Sequence, residues 1–194
     1  MAPTLDEARE ALRPRLSARS MAHAEAVEET AALLAVRYEV DVGAARMAGL
    51  LHDWCKDMPR EELMTHAIRL GIHVTDVDLA RPYLLHGPVA AYLLAARFPG
   101  LDPAVIRAVE VHTFGAPEMS DLDRVVYVAD MIEPRRAYKG VAKLRKAAAH
   151  ASLAELFELA YARSIAHIVK GRRPLHPRTL AVWNALTTSR TAGP

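Results

Sequence analysis

Apolar residues recur along nearly the whole chain at spacings of three and four, with almost no alternation of period two. That is the pattern of packed amphipathic helices rather than of a sheet. It predicts an all-α fold. Leu5, Ala8 and Leu12 outline a short first helix that Pro14 ends. A longer helix from about Ser20 to Tyr38 carries Ala26, Val27, Leu33 and Leu34, and Asp41 is placed to cap the next. Segment 42 to 53 crowds Ala, Met, Leu and Gly together as a buried central helix would, and it breaks down at Lys56-Asp-Met-Pro59. Glu61 to Leu70 forms a helix closed by Gly71 in a left-handed conformation. Ile72 to Leu85 reads as a mixed, partly extended connection before Pro88 opens a helix that Pro99-Gly100 ends. Asp102-Pro103 caps and starts another, and Ser120 with Asp123 forms a capping box before Leu122 to Glu133. Ser152 with Glu155 repeats the signal ahead of a helix from 153 to 170 with Gly171 at its end. Arg172-Arg-Pro-Leu-His-Pro177 then turns the chain into a last helix holding Leu180, Trp183 and Leu186. With no internal repeat and no low-complexity linker, the expectation is a single compact helical bundle over 1–194, its core about 15–187, with a short frayed tail after about Ser189.

Composition narrows the function without naming it. At 194 residues, 52% hydrophobic and 25% charged, the chain suits one globular domain with a real core. A net charge near +2 is too small for a nucleic-acid footprint or a membrane-seeking surface, so the expected partner is a small molecule. Cys55 is the only cysteine, which leaves no intrachain disulfide and fits a reducing compartment. The amino terminus carries acidic residues and no apolar stretch of signal-peptide type. The longest apolar run, Val89 to Ala96, is eight residues, against the roughly 20 of a membrane-spanning helix. A cytoplasmic protein, monomeric or homodimeric, is expected.

The candidate chemistry lies in an ordered series: His23, His52-Asp53, His86, His112 and Asp130, each closing or embedded in an apolar segment. Helical spacing puts His23 on the face of Val27, Thr30 and Leu34, and His112 on the stripe of Val105 and Val109. Asp130 follows Val126 by four, and a buried lone carboxylate costs several kcal/mol unless a cation or strong donors compensate it. His86 precedes Gly87-Pro88, where small residues leave room for a ligand. A single core histidine is more often hydrogen-bonded to a carbonyl than to a metal, and Asp130 has an ordinary rival as an ion pair with Arg135 or Arg136. His66, His73, His150, His167 and His176 are assigned to surface or packing. Four imidazoles and two carboxylates together, however, form a mixed nitrogen and oxygen set suited to iron, manganese or zinc. Six ligands exceed one closed site. Two ions roughly 3.5 to 4 Å apart would need a bridging carboxylate, for which Asp53 is the natural choice. One ion would take His23, His52, Asp53 and Asp130, and the other Asp53, His86 and His112. Metal-activated water then requires no nucleophilic side chain, and no P-loop or Gly-x-Ser-x-Gly motif occurs.

The His, His-Asp, His, His, Asp order resembles the HD superfamily of metal-dependent phosphohydrolases, an all-helical fold. More narrowly, Ala48-Gly-Leu-Leu-His-Asp-x-x-Lys56, Leu85-His-Gly-Pro-Val89, His112-Thr-x-Gly115, Val126 to Pro134 and Gly140-Val-x-x-Leu-Arg145 resemble the bacterial YqeK-type symmetrical diadenosine tetraphosphatases, over about residues 15 to 187. The resemblance implies cleavage of diadenosine tetraphosphate into two ADP at a di-iron centre, with His52 and Asp53 at the heart of catalysis. It also implies substrate contacts from Lys56, Thr113, Arg136 in Glu133-Pro-Arg-Arg136, and Arg173 in Lys170-Gly-Arg-Arg173. Two departures bear on substrate rather than reaction class. Ala116 stands where members often have arginine, and Ser20, Met21 and Ala22 stand where aromatic or basic residues are common, with Arg19 displaced by one as the remaining basic contact. Another nucleotide phosphohydrolase such as a 5′-nucleotidase, or a non-catalytic nucleotide-binding helical module, remains the alternative. Cys55 beside the site reads as a packing residue before a redox-sensitive thiol.

Overall fold

A computed structural model describes residues 1–191, with side chains to 188. Among these the chain forms eleven α-helices, two 3-10 turns and no strand. The helices are α1 (Leu5–Leu12), α2 (Ala18–Tyr38), α3 (Val42–Leu51), α4 (Arg60–Arg69), α5 (Asp76–Ala80), α6 (His86–Arg97), α7 (Pro103–Val111), α8 (Asp121–Ile132), α9 (Val141–Ala148), α10 (Leu153–Lys170) and α11 (Pro177–Thr191). The 3-10 turns are Arg13–Arg15 and Pro82–Leu85. None of the described helices is long and apolar enough to cross a membrane.

The polar residues that punctuate the sequence act as helix caps. Asp41 accepts the backbone N–H of Ala44 at 2.7 Å to start α3, and Ser120 with Asp123 closes a capping box on α8, as Ser152 with Glu155 does on α10. Two expectations need correction. The connection 72–85 is extended only at its start: Thr75, itself extended, forms with Asp78 a capping box that starts the short α5, and the 3-10 turn Pro82–Leu85 follows. The helix α9 went unread in the sequence, because it begins at Gly140 in a left-handed conformation (φ 97°) with no side-chain cap, and it buries only Val141 and Leu144. α11 also runs on to Thr191, past the Ser189 beyond which a loose tail was expected, and residues 192–194 lie outside those described.

The core brings α2, α3, α7 and α8 together. α2 packs along α3 and α8, and α7 lies against α3, α6 and α8. The α2–α3 approach is close because Gly49 presents no side chain there. A Cβ at Gly49 would lie 3.0 Å from the Glu28 Cα and 3.1 Å from the Val27 carbonyl. Glu28, buried at 2% exposure, fixes the same junction from the other side. Its two oxygens take Arg9 of α1 and Arg46 of α3, each at 2.6 Å, so the carboxylate is paired twice and its burial is compensated. These contacts set the positions of His23 on α2 and His52 at the end of α3.

Candidate metal centre

The six predicted ligands, up to 107 residues apart in sequence, converge on one buried carboxylate. Asp53, 1% exposed, follows the end of α3, and its two oxygens face opposite ways. Oδ2 lies 3.3 Å from His52 Nε2 and 3.6 Å from His23 Nε2, while Oδ1 lies 3.2 Å from His86 Nε2 and 3.7 Å from His112 Nε2. Asp130 Oδ1, on α8, completes the first side at 3.0 Å from His23 Nε2 and 3.8 Å from His52 Nε2. Asp53 thus stands between His23 and His52 on one side and His86 and His112 on the other.

The far nitrogen of every ring is engaged. His52 Nδ1 meets the Gly49 carbonyl at 2.7 Å, His86 Nδ1 the Tyr83 carbonyl at 2.6 Å, and His112 Nδ1 the Val109 carbonyl at 2.7 Å. His23 Nδ1 meets Glu133 Oε1 at 3.0 Å. An acceptor oxygen at Nδ1 requires the N–H there, so each Nε2 presents a lone pair to the centre of the cluster. Two of those lone pairs, on His86 and His112, face each other at 2.9 Å, an arrangement that only a proton or a metal cation between or beside them makes favourable. His52 Nε2 and Asp53 Oδ2 are moreover buried without a hydrogen-bond partner. The donor set therefore fits divalent metal: His23, His52 and Asp130 on one side, and His52, Asp53 and His112 on the other, each offer atoms within 4.8 Å of one another.

Electrostatics point the same way. Burial alone would raise the Asp53 pKa, but His52, His112 and His86 together hold its carboxyl well below the usual carboxylate range. Asp130 is likewise held low against its desolvation, by His23 and Arg136. Burial lowers His112 to about 4, so its ring is neutral at physiological pH, whereas Asp53 and Asp130 raise His52 in spite of its burial. A pocket that pulls a proton onto His52 also attracts a metal cation.

The predicted substrate residues distribute unevenly. Lys56, 43% exposed, lies at the mouth with Nζ 3.3 Å from Asp53 Oδ1. Thr113 Oγ1 is 3.3 Å from His112 Nε2 and 3.5 Å from His86 Nε2. Arg136 reaches into the cluster itself. Its Nη2 pairs with Asp130 Oδ1 and stands 3.4 Å from His23 Nε2, and its Nε donates to the Asp130 carbonyl at 2.8 Å. Arg173 lies in an adjoining groove that Thr113 also lines. Arg19 stands exposed in the first turn of α2, one turn before His23, and has no part in these contacts. Cys55 is buried, and desolvation pushes its thiol up to about 12, which makes it a packing residue. The room expected beside Gly87 is filled by the protein: a Cβ there would lie 2.9 Å from Thr113 Oγ1.

Two buried polar residues around the site escaped the sequence reading. Glu133, 1% exposed, holds His23 through Oε1 and is itself held by the Arg135 backbone N–H at Oε2. Its spacing of three from Asp130 on one helix face was the available signal. The second is His176, assigned with the surface or packing histidines. It is 5% exposed, donates from Nε2 to Asp78 Oδ2 at 3.1 Å, and stacks on Phe114 at 4.1 Å between centroids.

The family model described as "HD domain" matches residues 21–135 of the chain. A symmetrical bis(5′-nucleosyl)-tetraphosphatase of Bacillus subtilis is 32% identical over 185 residues, covering 94% of this chain and 97% of its own. One from Staphylococcus aureus is 31% identical over 143 residues, or 73% and 72% of the two chains. A solved structure from Clostridium acetobutylicum, a predicted HD superfamily hydrolase involved in NAD metabolism, superposes with a TM-score of 0.90 at 33% identity, covering 97% of this chain and all of that one.

Proposed function

The chain belongs to the HD-domain family of hydrolases, and from that premise we propose that it cleaves diadenosine tetraphosphate symmetrically into two ADP, in the cytoplasm, at a dinuclear centre whose first-choice metal is iron, with manganese second. The observation that carries the reading is the split carboxylate of Asp53, with one oxygen toward His23 and His52 and the other toward His86 and His112. A single side chain that serves two donor sets is what a bridged pair of cations needs. In this reading His23, His52, Asp53 and Asp130 hold one ion, and Asp53, His86 and His112 hold the other.

Divalent ions held there supply an activated water and neutralise the phosphoryl oxygens. The remaining work falls to side chains. The engaged Nδ1 atoms keep all four rings in one tautomer and one orientation, so no ligand reorganises during turnover. Lys56 is exposed and attached to Asp53 on one side only, and its flexible stem can deliver the ammonium to a phosphate oxygen at the mouth. Thr113 offers its hydroxyl to a phosphoryl oxygen beside His86 and His112. Arg136 holds Asp130 in place, and its partial exposure lets the same planar guanidinium take a phosphate oxygen. Symmetrical cleavage needs no base recognition at the scissile bond, only a tetraphosphate centred on the cluster.

The test is metal analysis of the purified protein, followed by a panel of dinucleoside polyphosphates, mononucleotides and NAD with products separated by chromatography. ADP as the sole product of diadenosine tetraphosphate is the expected result, and ATP plus AMP overturns it. Release of phosphate from a nucleoside 5′-monophosphate would favour a 5′-nucleotidase instead. His52→Ala and Asp53→Ala are expected to lose both metal and activity, and either retaining both defeats the site assignment.

A further inference from the structure

Beside the histidine cluster, Thr113 lines a shallow groove of about 60 Å³ that is open to solvent. One wall is the 3-10 turn that carries Arg81 and Tyr83, and the other is the turn after α10 that carries Arg173. The groove adjoins the candidate metal centre through two atoms of its own wall: Thr113 Oγ1 lies within 3.5 Å of His86 and His112, and the Tyr83 carbonyl holds His86 Nδ1.

The groove is built for an anion attached to an aromatic group. Arg81 and Arg173 face it, and none of the described side chains that line it is a carboxylate. Neither arginine has a carboxylate within ion-pair distance among the described residues. Arg81 touches only the Tyr83 hydroxyl at 3.4 Å, and Arg173 Nη2 donates to the His167 carbonyl at 3.2 Å. Arg173 Nε is buried with no acceptor at all, and a buried N–H on a cation left so is costly unless an acceptor arrives. Tyr83, 39% exposed, offers a ring face beside them. The walls are fixed rather than floppy. The turn that carries Arg173 is tied to α5 by the buried His176–Asp78 pair, and His176 stacks on Phe114 next to Thr113. A preorganised wall saves the ordering cost of binding.

Resting on the phosphohydrolase reading above, we propose that this groove holds one nucleoside diphosphate half of the substrate, with Tyr83 against the base and Arg81 and Arg173 on the phosphate next to the ribose. The outer phosphate then passes Thr113 to reach the histidine cluster. Tyr83 is thereby a specificity residue, which makes the 3-10 turn both the support of a metal-facing histidine and the reader of the base.

The experiment measures binding of ADP and of inorganic pyrophosphate to the metal-loaded protein by calorimetry, with KM and kcat for diadenosine tetraphosphate alongside. Tyr83→Ala is expected to weaken ADP about tenfold, as loss of a base–aromatic stack does, and to leave pyrophosphate unchanged. Tyr83→Phe keeps the ring and is expected to bind as the wild type does. Arg81→Ala and Arg173→Ala are expected to weaken both ligands about tenfold, as loss of a charge-assisted contact does, and to raise KM with kcat within twofold. Thermal melts within a few degrees of the wild type establish that each variant folds. ADP affinity and KM unchanged in all three alanine variants overturn the groove, even if the wild type releases ADP from the dinucleotide. Conversely, variant effects on ADP binding in a protein that releases no ADP from the dinucleotide uphold the groove and overturn the hydrolase reading.

Discussion

Gly87→Ala probes the centre with a single added methyl group. The new Cβ would lie 2.9 Å from Thr113 Oγ1, 3.2 Å from the Glu110 carbonyl oxygen and 3.2 Å from His112 Cε1. Ordinary contact begins at 3.4 Å, so the hydroxyl must retreat by 0.5 Å and the ring and carbonyl by 0.2 Å each. None of the three yields freely. The carbonyl is backbone, the ring is held by Val109 at 2.7 Å, and a β-branched threonine has few rotamers to choose from. Overpacking of this kind costs about 1–3 kcal/mol, and the better helix propensity of alanine returns up to about 1 kcal/mol. The net loss is about 1 kcal/mol, or about 2–4 °C in Tm for a chain of this length. Activity suffers more than stability. A misplacement of about 1 Å costs about 100-fold, so a shift of half that at Thr113 and a smaller one at His112 predicts about a tenfold fall in kcat. ADP release from diadenosine tetraphosphate, metal content and thermal melting, all on one preparation, test this. Wild-type kcat and metal content in Gly87→Ala would refute the reasoning, and so would a fall in Tm beyond about 10 °C, which would make the damage global.

Glu133→Ala should lower metal affinity about 10- to 100-fold with little change in fold, whereas Glu133→Gln, whose amide oxygen can still accept from His23, should lose less; equal effects in competitive chelator titrations would count against an orienting role. His176→Ala removes one of three donors to Asp78 Oδ2, leaving the two from Thr75, and should cost about 2 kcal/mol, a fall of about 4–8 °C in Tm, and an unchanged melt would sink that account. Burial holds Tyr127 and Tyr161 above the ordinary phenol value of 10.0, so the folded state keeps these protons after the unfolded chain has lost them. Their contribution to stability is complete below that value and lost as pH rises past it, which predicts a lower urea midpoint at pH about 11 than at about 9 and a smaller drop in Tyr127→Phe.

The sequence was most legible where chemistry and periodicity coincide. His23, His112 and Asp130 lie on apolar stripes, so their inward direction followed from helical spacing, and capping residues marked α3, α8 and α10 to within a residue or two. What stayed hidden depends on contacts that span the chain. Asp78 and His176 are 98 positions apart, and each alone reads as an ordinary cap or a loop residue. The Asp130–Arg136 pair, by contrast, was open to the sequence as one of two arginine partners, and only the turn at Glu133-Pro134 selects Arg136 over Arg135. α9 escaped because it is only eight residues long and starts at Gly140 with no side-chain cap, although Val141, Leu144 and Ala148 share one face.

The four rings are not equally protected against mutation. His52, His86 and His112 each sit just past a helix or turn, where the carbonyl three residues back takes the ring N–H, that of Tyr83 taking the His86 backbone N–H as well. Because those acceptors are main-chain atoms, no side-chain replacement can delete them, and the tautomer at three positions is inherited with the backbone. His23 lies inside the 21-residue α2, where the neighbouring carbonyls serve the helix, and it depends on the side chain of Glu133. Among the four Nδ1 acceptors, only that of His23 can therefore be lost by a side-chain replacement, and the codon at stake encodes Glu133.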